Sequence, residues 1–178
     1  AHSTVCFMFF IANHPIYNHP LPEGHRFPML KYELLPKQLL HEGTAECTDF
    51  YSPDSIDLSL VHAVHTVSYV KALTELTLDA KAVRSIGFPL SAALVERELR
   101  IAQGTVVGCN HALEHGIAFN IAGGTHHAFS DRGEAFCLLN DQAIATQYLI
   151  NQKKCHKILI VDLDVHQGNG TAEIFQNN

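Results

Sequence analysis

Asp162, Asp164 and His166 stand at alternate positions in the run Lys157-Ile-Leu-Ile-Val-Asp-Leu-Asp-Val-His-Gln-Gly-Asn-Gly170. Carboxylate oxygens and imidazole nitrogens are the donors that divalent transition metals take. The apolar residues Ile158 to Val161, closed off by the later glycines, predict a central strand buried on both faces. On such a strand residues 162, 164 and 166 project to one side. Two carboxylates and an imidazole at the tip of a buried strand are costly without a partner. A divalent metal is the expected occupant.

A second stretch, Gly123-Gly-Thr-His-His-Ala-Phe129, places His126 and His127 side by side just after a predicted strand. Paired glycines let the backbone turn sharply or approach another group. In open α/β folds a loop leaving the sheet is the usual place for a site. Adjacent histidines in a loop can address different atoms. Alone, the pair reads as a polar loop; with Asp-x-Asp-x-His on a later strand it reads as catalytic.

The elements that must carry these residues follow from the chain in order. Thr4 to Ile11 predicts a first, interior strand. The segment from His14 to Arg26 has prolines and a glycine that forbid regular structure, and its length suits a functional loop. Pro28 opens a helix through Leu40 that stops near Gly43. Residues 48 to 51 suggest a short second strand. A helix capped by Ser59 places Leu60, Val64, Val67, Val70, Leu73 and Leu76 toward the core. His62, His65 and Tyr69 share one of its faces, where ordinary surface is a better reading than a zinc site. Pro89 or Ser91 starts a helix to about Arg100, and after a break at Gly104 a second helical stretch runs to His115. Ile117 to Ile121 is a further short strand, and Asn140 or Asp141 caps a helix through Leu149. Strands alternating with helices predict an α/β domain with a mostly parallel sheet.

Composition narrows the function. The 178 residues, 47% hydrophobic and 17% charged, suit one folded domain. A net charge of -6 without a Lys/Arg cluster argues against a nucleic-acid surface, and no apolar run is long enough for a membrane helix. Five scattered cysteines without a Cys-x-x-Cys pair fit a reduced, cytoplasmic compartment. Cys137 reads as a small buried thiol rather than a nucleophile. The 13 histidines raise the expectation of metal or proton chemistry.

Gly123-Gly-Thr-His-His-Ala128, Ala135-Phe-Cys-Leu-Leu-Asn-Asp141 and Val161-Asp-Leu-Asp-Val-His-Gln-Gly-Asn-Gly170 together resemble the zinc-dependent histone deacetylases, and Leu21-Pro-Glu-Gly-His-Arg-Phe-Pro-Met29 resembles bacterial and class IV members. The resemblance implies a three-layer arginase/deacetylase-like α/β fold. Residues 1–178 would form the N-terminal part of one domain, with the sheet incomplete on its C-terminal side. It also implies zinc-dependent hydrolysis of an acetyl or other acyl amide, from acetyl-lysine or a small acetylated amine. By this resemblance Asp164 and His166 are zinc ligands. His127 is the general base and then acid, and His126 is its partner in positioning water. Asp162 is the carboxylate behind His126, with a monovalent cation such as K+ near it. Phe136 is a wall of the substrate tunnel, and Arg26 lies near an internal cavity. Asn169 stands where class I members carry an aspartate behind the second histidine. A neutral amide can orient that imidazole but cannot stabilise its protonated form as a carboxylate does.

The family's third zinc ligand, an aspartate, and its oxyanion-stabilising tyrosine lie downstream of the last motif, and the sequence stops at Asn178. The stretch is therefore expected to bind zinc weakly and to show no turnover by itself. A non-catalytic module that only recognises acyl-lysine is the alternative. An arginase-type hydrolase is disfavoured, because the order Asp-x-His-x-Asp is missing.

Overall fold

The computed structural model describes residues 9–177. Three short parallel strands are ordered β2-β1-β3, with β1 (Ile11–Ala12) between β2 (Phe50–Tyr51) and β3 (Phe119–Asn120). Ile11 pairs with Phe50 on one side and with Phe119 on the other. The expected first strand is present at its end; Thr4 to Met8 lie outside the described residues. The segment between His14 and Arg26 is irregular apart from a single 3-10 turn at Pro15–Tyr17.

Helix α1 (Lys31–His41) occupies the span expected after Pro28 and encloses Pro36. The long helix expected from Ser59 is instead two. Asp57 caps α2 (Leu58–Val61), accepting from the Ser59 N–H at 2.8 Å, and Thr66 caps α3 (Val67–Thr74). The apolar repeat crosses this break, which is why periodicity alone joins the two. As a result Val67 and Leu76 are exposed while Val70 and Leu73 are buried. Helix α4 (Ala80–Ile86) follows, ended by Gly87 at φ 84°.

Helix α5 (Ala92–His115) is continuous through Gly104, capped by Ser91 as expected. Gly104 does not interrupt it. A Cβ there would lie 2.9 Å from the Ala12 Cβ and 3.0 Å from the Tyr17 hydroxyl. The glycine lets the helix lie against the sheet, which outweighs the roughly 1 kcal/mol it costs a helix interior. Helix α6 (Asp141–Asn151) packs beside α5 and is capped by the Asn140 side chain. Leu94, Phe88, Leu73, Leu138 and Ile144 form the main core between these helices. No helix among the described residues is long and apolar enough to cross a membrane.

The largest departure lies at residues 157–168. No strand forms there among the described residues, and a short helix α7 (Asn169–Ile174) follows, which periodicity did not indicate. Leu159, Val161, Leu163 and Val165 are 84%, 64%, 91% and 91% exposed. The buried central strand expected from Ile158 to His166 is thus corrected to an exposed, unpaired stretch. Its aspartates explain the local shape. Asp162 Oδ1 accepts from the Asp164 N–H at 3.0 Å, and Asp164 Oδ1 accepts from the His166 N–H at 2.7 Å. Side chains that bond the backbone two residues on form Asx turns and take the donors that a ladder would use.

Candidate active site

The loop carrying His126 and His127 is shaped from beneath by a buried carboxylate. Asp141, 1% exposed at the start of α6, accepts from the N–H groups of Gly124 at 3.0 Å and Thr125 at 2.8 Å, and from the Thr105 hydroxyl at 2.6 Å. These bonds explain how a carboxylate is kept inside the protein. They also explain Gly123, because a Cβ at that position would stand 2.8 Å from Asp141 Oδ2. Asn140 adds a second tie: its side-chain amide donates to the Ala128 carbonyl and to the Thr171 hydroxyl, both at 3.0 Å.

His65 completes the frame. Its Nε2 accepts from the Asn140 N–H at 3.0 Å, so Nδ1 carries the proton and donates to the Phe129 carbonyl at 2.9 Å. The expectation that His62 and His65 are both surface groups is corrected for His65, which is 2% exposed. Both its ring nitrogens are occupied, so it has none to offer a metal.

On this frame the two histidines point to different partners. His126 Nδ1 lies 2.6 Å from Asp162 Oδ2, and His127 Nδ1 lies 2.7 Å from Asn169 Oδ1. Asn169 Oδ1 also accepts from the Gly170 N–H at 3.0 Å. That bond marks the amide oxygen as the atom facing His127. Each histidine therefore carries its proton on Nδ1 and keeps a lone pair on Nε2, an assignment made from the hydrogen-bond network. The rings are 4.2 Å apart between centroids, and the ring of His166 is 6.1 Å from that of His127. The His126 bond, followed by the Asp164 N–H, holds the Asp162 carboxyl below its ordinary range. Both Asp162 oxygens are engaged by these groups.

Phe136 is presented by the end of α4. The Ser85 and Ile86 carbonyls accept from the N–H groups of Ala135 at 2.9 Å and Phe136 at 2.7 Å. Making both bonds puts Ala135 at φ 45° and Phe136 at φ 70°. Left-handed backbone at a non-glycine residue costs about 1 kcal/mol or more, and here the ring packs against Phe27 and Phe88, with centroids 4.9 and 5.0 Å away, on the wall of the cleft that also holds the histidines. Gly87 leaves room for it, since a Cβ there would come within 2.9 Å of the Phe136 ring.

Arg26, Phe136, His126, His127, Asp164 and His166 line one cleft of about 580 Å³, with Asp162 and Asn169 behind the two histidines. All eight residues singled out in the sequence thus meet at one place. Arg26 is exposed, with its guanidinium carbon 5.0 Å from the Phe136 ring centroid. The buried arginine on the cleft is Arg97, paired with Glu98. Cys137 is buried, and its thiol is pushed up to about 12, chiefly by burial, so it stays protonated. A larger hollow of about 760 Å³ between α6, α7 and residues 157–162 contains none of the histidines.

The side chains of Asp164 and His166 are 51% and 73% exposed, so burial does not by itself demand a metal there. The donor types remain: Asp164 Oδ1 and His166 Nδ1 are 3.1 Å apart. They fit zinc in kind, as half of the usual four-ligand set. Among the described residues no three His, Cys, Asp or Glu side chains converge as a metal cluster.

With this geometry in hand, comparison with known proteins is decisive. The Histone deacetylase domain profile matches residues 25–178. The chain belongs to the histone deacetylase family. An uncharacterised protein of Picosynechococcus sp. is 49% identical over 170 residues, covering 96% of this chain and 57% of that protein. Acetoin utilization protein AcuC of Bacillus subtilis is 33% identical over 129 residues, covering 68% of this chain and 33% of the relative. An HDAC homologue complexed with SAHA superposes with a TM-score of 0.81 at 24% identity, over 96% of this chain and 48% of that one. The HDAC homologue of Aquifex aeolicus gives 0.78 at 23% identity, over 94% and 47%. The fold is therefore the arginase/deacetylase α/β fold. Against these relatives and structures the chain spans between a third and somewhat over half of their length.

Asp141, Thr105, Thr125 and His65 hold the site from beneath and escaped the sequence reading as site residues. In the sequence Asp141 stands as a possible helix cap and as the end of the Ala135–Asp141 motif, neither of which shows what it holds, and His65 reads as surface because its helix is expected to be longer than it is.

Proposed function

We propose that the protein to which this chain belongs hydrolyses an acetyl or other acyl amide, taking acetyl-lysine or a small acetylated amine as substrate. The observation that carries this reading is the Asn169 Oδ1 to His127 Nδ1 bond, which leaves an imidazole lone pair on a residue lining the cleft. His127 Nε2 takes the proton of the attacking water and later gives it to the leaving amine, the work of a general base and acid. His126, oriented by the Asp162 carboxylate, helps to position the attacking water beside the reacting carbonyl. Phe136 supplies a flat apolar wall for the substrate stem. Asp164 and His166 would hold the zinc, which when bound polarises the acyl carbonyl and acidifies water.

The test is acetate release from an acetyl-lysine peptide by the full-length protein, before and after chelation. We expect turnover that chelation abolishes and added zinc restores, and a fall of about 100-fold or more in kcat for His127→Ala. The stretch 1–178 by itself is expected to bind zinc weakly and release no acetate. Tight binding of the acetylated peptide by the full-length protein without acetate release would instead identify a recognition module.

A further inference from the structure

Between His166 and α7 the chain makes one tight turn. The Asn169 N–H donates to the Gln167 carbonyl at 2.8 Å, and Gly168 sits between them at φ -72° and ψ 59°. This is an inverse γ-turn, a conformation open to any L-residue. The backbone therefore does not require a glycine at 168, as it does at Gly87 with its positive φ. The space beside it does. A Cβ at position 168 would collide with Asp162 Oδ2, the oxygen that meets His126 Nδ1 at 2.6 Å. Its next neighbours, Asp162 Cγ and His126 Nδ1, would both stand at an ordinary 3.5 Å. One oxygen alone is in the way.

Gly170, two residues on, faces a different obstacle. A Cβ there would run into the Ala128 carbonyl and come within 2.7 Å of the His126 carbonyl oxygen. Backbone cannot turn aside, whereas a carboxylate can rotate to another side-chain position. Asp162 has somewhere to turn. Its side chain is 31% exposed, and with Gly168 it borders the hollow of about 760 Å³ beside α6 and α7.

We propose that Gly168 is a positioning residue for the reaction: its missing Cβ is the seat that keeps the Asp162 carboxylate on His126. This rests on the deacetylase reading and adds a residue that serves it through another. With a methyl group at 168 the chain still makes its turn, but Oδ2 swings into the hollow. His126 then loses the acceptor that fixes its proton on Nδ1, and its Nε2 lone pair is no longer held for the attacking water.

The experiment measures kcat and KM of the full-length protein on an acetyl-lysine peptide for Gly168→Ala, Asp162→Ala and the double variant. We expect Gly168→Ala to lower kcat by about 10- to 100-fold, as losing a carboxylate that orients an imidazole does, with KM little changed. The double variant should be no slower than Asp162→Ala, because the colliding oxygen is already gone. Gly170→Ala, which meets backbone, should gain no such relief. Losses that multiply in the double variant, or full activity in Gly168→Ala, would overturn the proposal. A crystal structure of Gly168→Ala decides the placement without substrate: the carboxylate should lie off His126, and a retained bond rejects the proposal. If the unmodified protein releases no acetate, the deacetylase reading fails while that structure still reports on the seat. Should Gly168→Ala not fold, the double variant should; its failure to fold where Asp162→Ala folds rejects the proposal.

Discussion

At the scale of residues, the site distinguishes two chemically identical side chains by what stands behind them. His126 has a carboxylate partner and His127 an amide. A carboxylate stabilises an imidazolium, whereas an amide oxygen only orients the ring. Asn169→Asp should therefore favour the protonated form of His127 and move the acidic limb of the pH–rate profile to higher pH, because the base must start unprotonated. The profile of the full-length protein against that of the variant is the measurement; superimposable acidic limbs would show that His127 is not the titrating base. The contrast was legible before any coordinates, since Asn169 lies three residues beyond His166 in a recognisable motif. The support beneath the loop was not. Four donors converge on Asp141 from Thr105, Gly124 and Thr125, as many as 36 residues away in sequence, and no local pattern announces such a meeting.

At the scale of elements, His65 joins the turn before α3 to the loop that follows the histidine pair and to the start of α6. Its Nε2 can accept from Asn140 only while the ring is neutral. Burial lowers its titration from 6.5 to about 4. The unfolded chain therefore takes up a proton near pH 6.5 that the folded chain refuses until near pH 4. Stability rises with pH wherever the unfolded state binds more protons, so the contribution is complete above about pH 6.5 and is lost as pH falls toward 4. It amounts to something on the order of 3 kcal/mol. His65→Gln should cost about 2 kcal/mol near pH 7 through the broken buried bonds, and denaturant melts at pH 7 and 4.5 should show a smaller acid loss for the variant. The same region shows where sequence reading stops. The caps at Ser91 and Asn140 were found from residue type, because a cap is a local device. The break between α2 and α3 was missed, because the apolar spacing runs on through it and only the Asp57 and Thr66 caps reveal it. Gly104 misled for the opposite reason: a residue that weakens a helix locally is required by the sheet beneath it.

At the scale of the whole molecule, Leu159, Val161, Leu163 and Val165 expose apolar surface along an unpaired stretch that bends at residues 164–166. Such an edge invites pairing with another chain. A polypeptide of residues 1–178 should associate as its concentration rises, and Leu163→Lys with Val165→Lys should keep it monomeric in light scattering, since charge on an edge opposes pairing. A strictly monomeric unmodified chain would refute this. The reading of a strand at 158–166 responded to real apolar content there; what it lacked was a neighbouring strand to pair with. Helix α7 is tied to the histidine loop and its flank by the Asn169 amide on His127, by the Thr171 N–H on the His126 carbonyl at 3.1 Å, and by the Glu173 carboxylate, which accepts from the Ser130 N–H at 3.1 Å and hydroxyl at 2.9 Å. Whether this last helix is seated is therefore written into the magnetic environment of one ring. The His127 Nδ1 proton, sheltered from exchange only while Asn169 accepts it, offers a nuclear resonance signal for the docking of α7, readable without any substrate.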